Sequence, residues 1–212
     1  MTGAPVAPAA VGGPPVLPRS FYDRSPLAVA PDLLGKVVTG ADGRSGRITE
    51  VEAYCGGDDP ASHAYRGRTP RNETMWGRPG LLYVYFTYGM HWCANATCGP
   101  DGVAGAVLLR ALQPLTGLDT MRRSRWRNQR HQSDRDLCRG PARLCQALGW
   151  DRALDGADLV TSDHGVRIVD DGAPPPAVVT TARIGLRVAA DRPWRFVVPA
   201  SPWVSGPGVP VR

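Results

Sequence analysis

Lysine is almost missing from this chain: of 25 Lys+Arg residues only Lys36 is a lysine, so chemistry that attacks a sugar through a side-chain amine has one side-chain candidate. Long apolar runs are missing too. None approaches the roughly 18–20 residues that a membrane helix needs, and the first twenty residues hold neither a basic n-region nor an apolar h-region. We therefore expect a cytoplasmic protein with no membrane partner. Cysteines 55, 93, 98, 138 and 145 are odd in number and include no C-x-x-C pair, so neither a disulfide framework nor a zinc knuckle is suggested. Buried free thiols and no metal site are expected. Internal repeats and βαβ alternation are also lacking, which argues against solenoids and doubly wound sheets.

What is present describes an ordinary globular domain. Hydrophobic residues make up 42% and charged residues 21% of 212, which sets aside wholesale disorder and collagen-like structure. The formal charge is +6 and almost all of the cation is arginine, whose planar fork suits phosphate and carboxylate. A basic balance favours a polyanionic partner.

The chain divides into a Pro/Ala/Gly-rich arm over 1–20, expected to be disordered, one domain over 21–205, and a flexible tail over 206–212. Ser25-Pro26 reads as an N-cap with proline in the first turn of a helix that runs to Gly35 and is distorted at Pro31. Lys36–Thr39 and Gly46–Tyr54 read as strands joined through Ala41-Asp42-Gly43. The stretch 56–80 has no period, and such a long irregular segment in a compact domain is usually functional. Leu81–Tyr88, His91–Thr97 and Val103–Leu112 give an antiparallel meander with turns at Gly89-Met90 and Gly99–Gly102. Helices are expected over 115–127 and 141–148, and later strands over 166–170, 178–188 and 195–198. The fold class is α+β: a single domain with a curved, mostly antiparallel sheet flanked by helices.

Three features could carry chemistry. In Arg47–Tyr54 a period of two places Ile48, Glu50, Glu52 and Tyr54 on one face of a regular strand, with the two carboxylates about 6.5–7 Å apart. That spacing is near the lower limit for an acid and base with water between them; the alternative is a solvated edge strand. Leu82–Trp92 is an aromatic-dense strand ending in a tight turn, where Tyr85 and Tyr88 have opposite parity. One ring can line a pocket while the other stands at the tip and wedges between bases. Finally, eight arginines fall within 122–143, where Asp134 and Asp136 are the only acids. Phosphate contact and a solvated basic helix both fit. His91, His131 and His164 are isolated and read as structural or surface residues.

Taken together, Asp32–Lys36, Glu50–Tyr54, Ala61-Ser62-His63, Thr69–Asn72, Leu82–Tyr85 with Tyr88-Gly89-Met90, Val107–Ala111 and Gly140–Leu144 resemble the mammalian-type alkyladenine (3-methyladenine) DNA glycosylases, also widespread in bacteria. The resemblance runs from about Phe21 to Ser205. It implies a monofunctional enzyme, without metal or organic cofactor, that flips a damaged purine out of double-stranded DNA and hydrolyses its N-glycosidic bond in base excision repair. The lesion class would be 3-methyladenine, 7-methylguanine, hypoxanthine and ethenoadenine, and the protein a monomer associated with the nucleoid.

The same resemblance assigns Glu52 to water activation, with Arg110 and the carbonyl of Ile184 helping to hold the water, and gives Glu50 no role. Tyr54, His63 and Tyr85 would wall the base pocket, and Asn95 would screen the purine's minor-groove edge. Tyr88 would fill the gap left by the base, with Met90 beside it. We add Arg122, Arg123 and Arg143 as DNA contacts on the strength of the arginine cluster. His91 stands where the mammalian pattern has a tyrosine. The alternative from another class is a non-catalytic binder of damaged or single-stranded DNA, using the same aromatic and basic surfaces.

Overall fold

A computed structural model of the chain describes residues 13–126 and 133–206. Short helix α1 (Arg19–Tyr22) leads into α2 (Pro26–Leu33), where the Ser25 hydroxyl accepts from the Ala28 amide at 3.3 Å and Pro26 takes the first turn. Proline costs nothing there, because that N–H has no helical partner. Pro31 is tolerated within the last turn, and Val29, Ala30 and Leu33 face the core.

Among the described residues, eight strands form one strongly curled sheet: β1 (Val37–Thr39), β2 (Ser45–Tyr54), β3 (Leu82–Thr87), β4 (His91–Thr97), β5 (Ala106–Thr116), β6 (Arg167–Val169), β7 (Val179–Thr181) and β8 (Arg195–Val197). The order is β3-β4-β5-β2-β1-β6, with β8 added to β2 and β7 to β8, and the pairings are antiparallel. β2 lies at the centre. One side pairs with β5; the other pairs first with β1 and then, from Glu50 onward, with β8.

A register irregularity between Ile48 and Val51 falls where β2 changes partner. It corrects the expected parity. Ile48 joins Val51 and Ala53 in the apolar core together with Leu112, Val107 and Leu109, whereas Glu50 and Glu52 carry hydrogen-bonded carboxylates. An extra residue in one strand moves every later side chain to the other face, so Ile48 parts from the glutamates. Helix α4 (Pro141–Leu148) packs Leu144, Cys145, Ala147 and Leu148 onto this core, and α3 (Leu118–Arg125) adds Met121.

Four boundaries differ from the sequence reading. β5 continues through Pro114 to Thr116, and Gly117, at φ +74°, ends it, so α3 begins later than expected. At its start, Val103 is exposed in a turn and not in the strand. The run 178–188 is a strand only over β7, because beyond it the chain leaves β8 for the site described below. The arm expected over 1–20 is docked at its inner end: Val16 bridges to Val169, and Leu17, 4% exposed, donates to the Ile168 carbonyl. Its first twelve residues, and 207–212 of the expected tail, lie outside the described residues.

The irregular segment 56–80 owes its shape to three residues. Gly56 sits at φ +56°, and a Cβ there would lie 2.1 Å from the Ala104 carbonyl oxygen, so no other side chain fits. Asn72 is buried and binds the Thr69 amide and the carbonyls of His63 and Gly67, at 2.7, 2.9 and 3.0 Å. Asp59 accepts from the Ala61 amide and from Arg183. Beneath them Ala64, Met75, Tyr83, Ala104 and Ala106 form a second small apolar cluster.

Candidate active site

The segment 56–80, the β3–β4 hairpin, β5 and the loop after β7 enclose a cavity of about 220 Å³. Tyr54, His63 and Tyr85 form its walls, and Asn95, Arg110 and Ile184 also line it. These expected site residues are thus brought together from separate elements. The His63 ring meets the Tyr85 ring edge-on at 4.5 Å, and Tyr83 stacks on Tyr85 at 5.4 Å. His63 Nδ1 lies 3.0 Å from the Tyr83 hydroxyl. Although His63 has substantial exposure through the cavity mouth, desolvation by its aromatic neighbours, aided by the positive charge of Arg71, holds its pKa down at about 4. The imidazole is therefore neutral at physiological pH. Burial likewise keeps the Tyr85 and Tyr54 hydroxyls protonated. Such a wall has electron-rich ring faces and no formal charge, which suits a planar cation.

Glu52 lies just behind this wall, fully buried, and its three partners all line the cavity. The Tyr54 hydroxyl donates to Oε2 at 2.9 Å, Arg110 Nη1 approaches Oε2 at 3.2 Å, and the Ile184 amide donates to Oε1 at 2.8 Å. The Ile184 contact therefore runs through its amide. A carboxylate offers about four lone-pair sites, so one remains for a further donor at the wall.

Asn95 is 4% exposed and gives its Nδ2 to the Tyr83 carbonyl at 3.1 Å, which leaves the side-chain oxygen as its other polar atom at the cavity. Tyr88-Gly89-Met90 forms the hairpin tip. Tyr88 is 79% and Met90 67% exposed, beside the cavity mouth. Tyr88 has φ +51°, a left-handed conformation uncommon for a bulky residue, and Gly89 follows at φ +66°. Backbone strain thus presents an aromatic ring to solvent at the rim.

The arginine cluster is less free than the sequence suggested. Arg122 is held by Asp134 at 2.6 and 2.9 Å and by Asp119, and Arg143 pairs with Asp136 at 3.0 Å. The sequence window began at 122 and so left Asp119, three residues earlier on α3, out of account. Arg123 is exposed and donates only to the Thr120 hydroxyl among the described residues. Arg127, Arg130 and His131 lie outside the described residues.

Several residues of the site gave no sequence signal. Asp59 and Arg183 form a buried bidentate pair, and Arg183 also donates to the Ala53 carbonyl at 2.9 Å and stacks 4.6 Å under the Tyr54 ring. Arg195 reaches Glu50 at 2.7 Å. Cys93 and Leu186 line the cavity, and Pro141 marks the start of α4 there. Arg71 lies 5.9 Å over Tyr85 at the mouth. Only the Thr69–Asn72 and Gly140–Leu144 matches, which contain Arg71 and Pro141, touched any of these.

A model of the methylpurine-DNA glycosylase family matches residues 20–202, and the chain belongs to that family. A relative in Burkholderia lata is 60% identical over 193 residues, covering 91% of this chain and 92% of its own. One in Streptomyces avermitilis is 49% identical over 197 residues, covering 89% and 90%. Another in Koribacter versatilis is 47% identical over 195 residues, covering 90% and 93%. All three carry the name of 3-methyladenine DNA glycosylases.

Proposed function

We propose that this chain is a monofunctional glycosylase. It turns alkylated or deaminated purines of the 3-methyladenine, 7-methylguanine, hypoxanthine and ethenoadenine class out of duplex DNA, then hydrolyses the N-glycosidic bond. It acts as a monomer on cytoplasmic, nucleoid DNA. The observation that carries this reading is the placement of Glu52: a buried carboxylate held by three donors directly behind a wall of uncharged rings, with an exposed tyrosine at the rim.

In the chemical step the oxygen of a water bonds to the sugar C1′ as the N-glycosidic bond breaks. The bonding electrons leave with the base, and the water proton passes to Glu52. The carboxylate also stabilises the oxocarbenium-like charge that develops on the sugar. A cationic alkylated purine is neutralised by receiving those electrons, so it leaves without protonation, and it stacks well against the electron-rich tyrosine faces of the wall. A neutral purine lacks both advantages. Base extrusion costs a few kcal/mol, which insertion of Tyr88 offsets in part.

A Schiff-base mechanism has little support. Lys36, the single lysine, pairs with Asp170 at 2.6 Å and does not line the cavity. Duplexes carrying one lesion each test the reading: free base should be released, leaving alkali-labile abasic strands and no borohydride-trapped adduct. Retention of every lesion would leave only a binding protein, and a trapped adduct lost in Lys36→Arg would replace water with an amine.

A further inference from the structure

Glu50 is fully buried, two residues before Glu52 on β2, and does not line the cavity. Its Oε1 accepts from Arg110 Nε at 2.8 Å, Arg195 Nε at 2.7 Å and the Ser205 hydroxyl at 2.9 Å, and its Oε2 accepts from the Ser205 amide. Desolvation pushes this carboxyl up, but Arg110 and Arg195 pull harder, so it stays ionised, below the usual carboxylate range. Arg110 thereby has one edge on each glutamate: Nε on Glu50 and Nη1 on Glu52, with Nη2 3.4 Å from the Ser205 hydroxyl.

We infer that Glu50 is a positioning residue for catalysis, which holds Arg110 back from Glu52 so that one carboxylate site and the basicity of Glu52 stay available to water. The inference rests on the reading of Glu52 as the base. Without Glu50, Arg110 is free to engage Glu52 through two nitrogens, filling the remaining site. An arginine fork prefers such bidentate pairing. The titratable and charged groups around Glu52 are Glu50 and the neutral hydroxyl of Tyr54 on its own strand, Arg110 from β5, Arg195 as its register partner on β8, and Arg183 with Asp59 from the loops. Loss of the Glu50 charge removes a repulsion and frees an attraction. Both changes make the Glu52 carboxylate a weaker acceptor for the water proton.

The test is single-turnover release of 7-methylguanine as a function of pH. This cationic base needs no acid, so the acid limb reports Glu52. Glu50→Gln should move that limb down by about one unit and lower the plateau by on the order of 10- to 100-fold, with lesion-duplex binding nearly unchanged. Arg195→Gln breaks the same buried cluster but leaves Glu50 charged and removes a positive charge near Glu52, so its limb should stay or move up, never down. Should Glu50→Gln not fold, Glu50→Asp decides: its shorter reach loosens Arg110 and gives a smaller shift of the same sign. An unmoved limb in the folded Glu50 variant overturns the inference. An active Glu52→Gln enzyme would instead overturn the reading beneath it.

Discussion

The backbone amide of Ile184 lies 2.8 Å from Glu52 Oε1, so a loop 132 residues downstream ends on the central carboxylate of β2. Arg183 sets that loop in place by reaching back to Asp59, to the Ala53 carbonyl and under the Tyr54 ring. Two of the three donors to Glu52 are therefore braced by one buried ion pair. Removing one partner of such a pair leaves an uncompensated charge.

Asp59→Asn should lower stability by about 3–5 kcal/mol, a fall of roughly 6–20 °C in Tm for a domain of this size. Activity measured below the new Tm should also fall, since Ile184 and Tyr54 lose their support. Thermal unfolding with a parallel base-release assay checks this; an unchanged Tm would mean that Arg183 finds another counterion.

Replacement of Tyr88 by serine removes the ring at the rim, and because that ring is 79% exposed, stability should hold within about 0.5 kcal/mol. Excision from a fully paired duplex should suffer more than excision of the same lesion in a pre-opened bubble, where less unstacking work remains. Equal losses on the two substrates would assign Tyr88 to the pocket and not to the wedge.

Salt dependence separates the arginines. Arg123→Ala should reduce the slope of log K against log salt by about one, uniformly across sequences. Arg122→Ala should leave the slope nearly unaltered, because its guanidinium is already matched by Asp119 and Asp134. A fall of the slope in Arg122→Ala equal to that in Arg123→Ala would show that DNA displaces those acids.

His63 titrates near 4 in the folded chain, against about 6.5 for a free imidazole. Between these values the unfolded chain takes up a proton that the folded one refuses. The contribution of His63 to stability is whole above about pH 6.5 and is lost as the pH falls toward about 4. His63→Gln should therefore narrow the gap in Tm between about pH 7 and about pH 5. An undiminished gap would place the acid sensitivity elsewhere.

Local chemistry made much of the fold legible. The Ser25-Pro26 helix start, the meander of β3 to β5 and the tip at Tyr88 follow from caps, periodicity and turn residues, which act over a few positions. The glutamates were legible as a pair, but their burial and separation from Ile48 were not, because the irregularity in β2 arises where two different strands compete for one edge. The partners of Asp59 and Glu50 were hidden for a similar reason. Arg183 and Arg195 are 124 and 145 residues away from them, and ion pairs closed over such distances leave no periodic trace. The arginine cluster misled in the opposite sense. Charge counted along sequence took no account of Asp119, or of the fold that sets Asp134 against Arg122.

The most direct measurement is single-turnover base release by Glu52→Gln on a duplex with one 7-methylguanine, alongside binding to an abasic duplex. Glutamine keeps the shape, and its one carbonyl oxygen can still accept from the Ile184 amide while its NH2 turns toward the Tyr54 hydroxyl oxygen, but it is far too weak a base to take the proton from water. The account predicts a loss of roughly 10²–10⁴-fold in excision with abasic-site affinity within a few-fold of wild type. Excision at a rate close to wild type would contradict it.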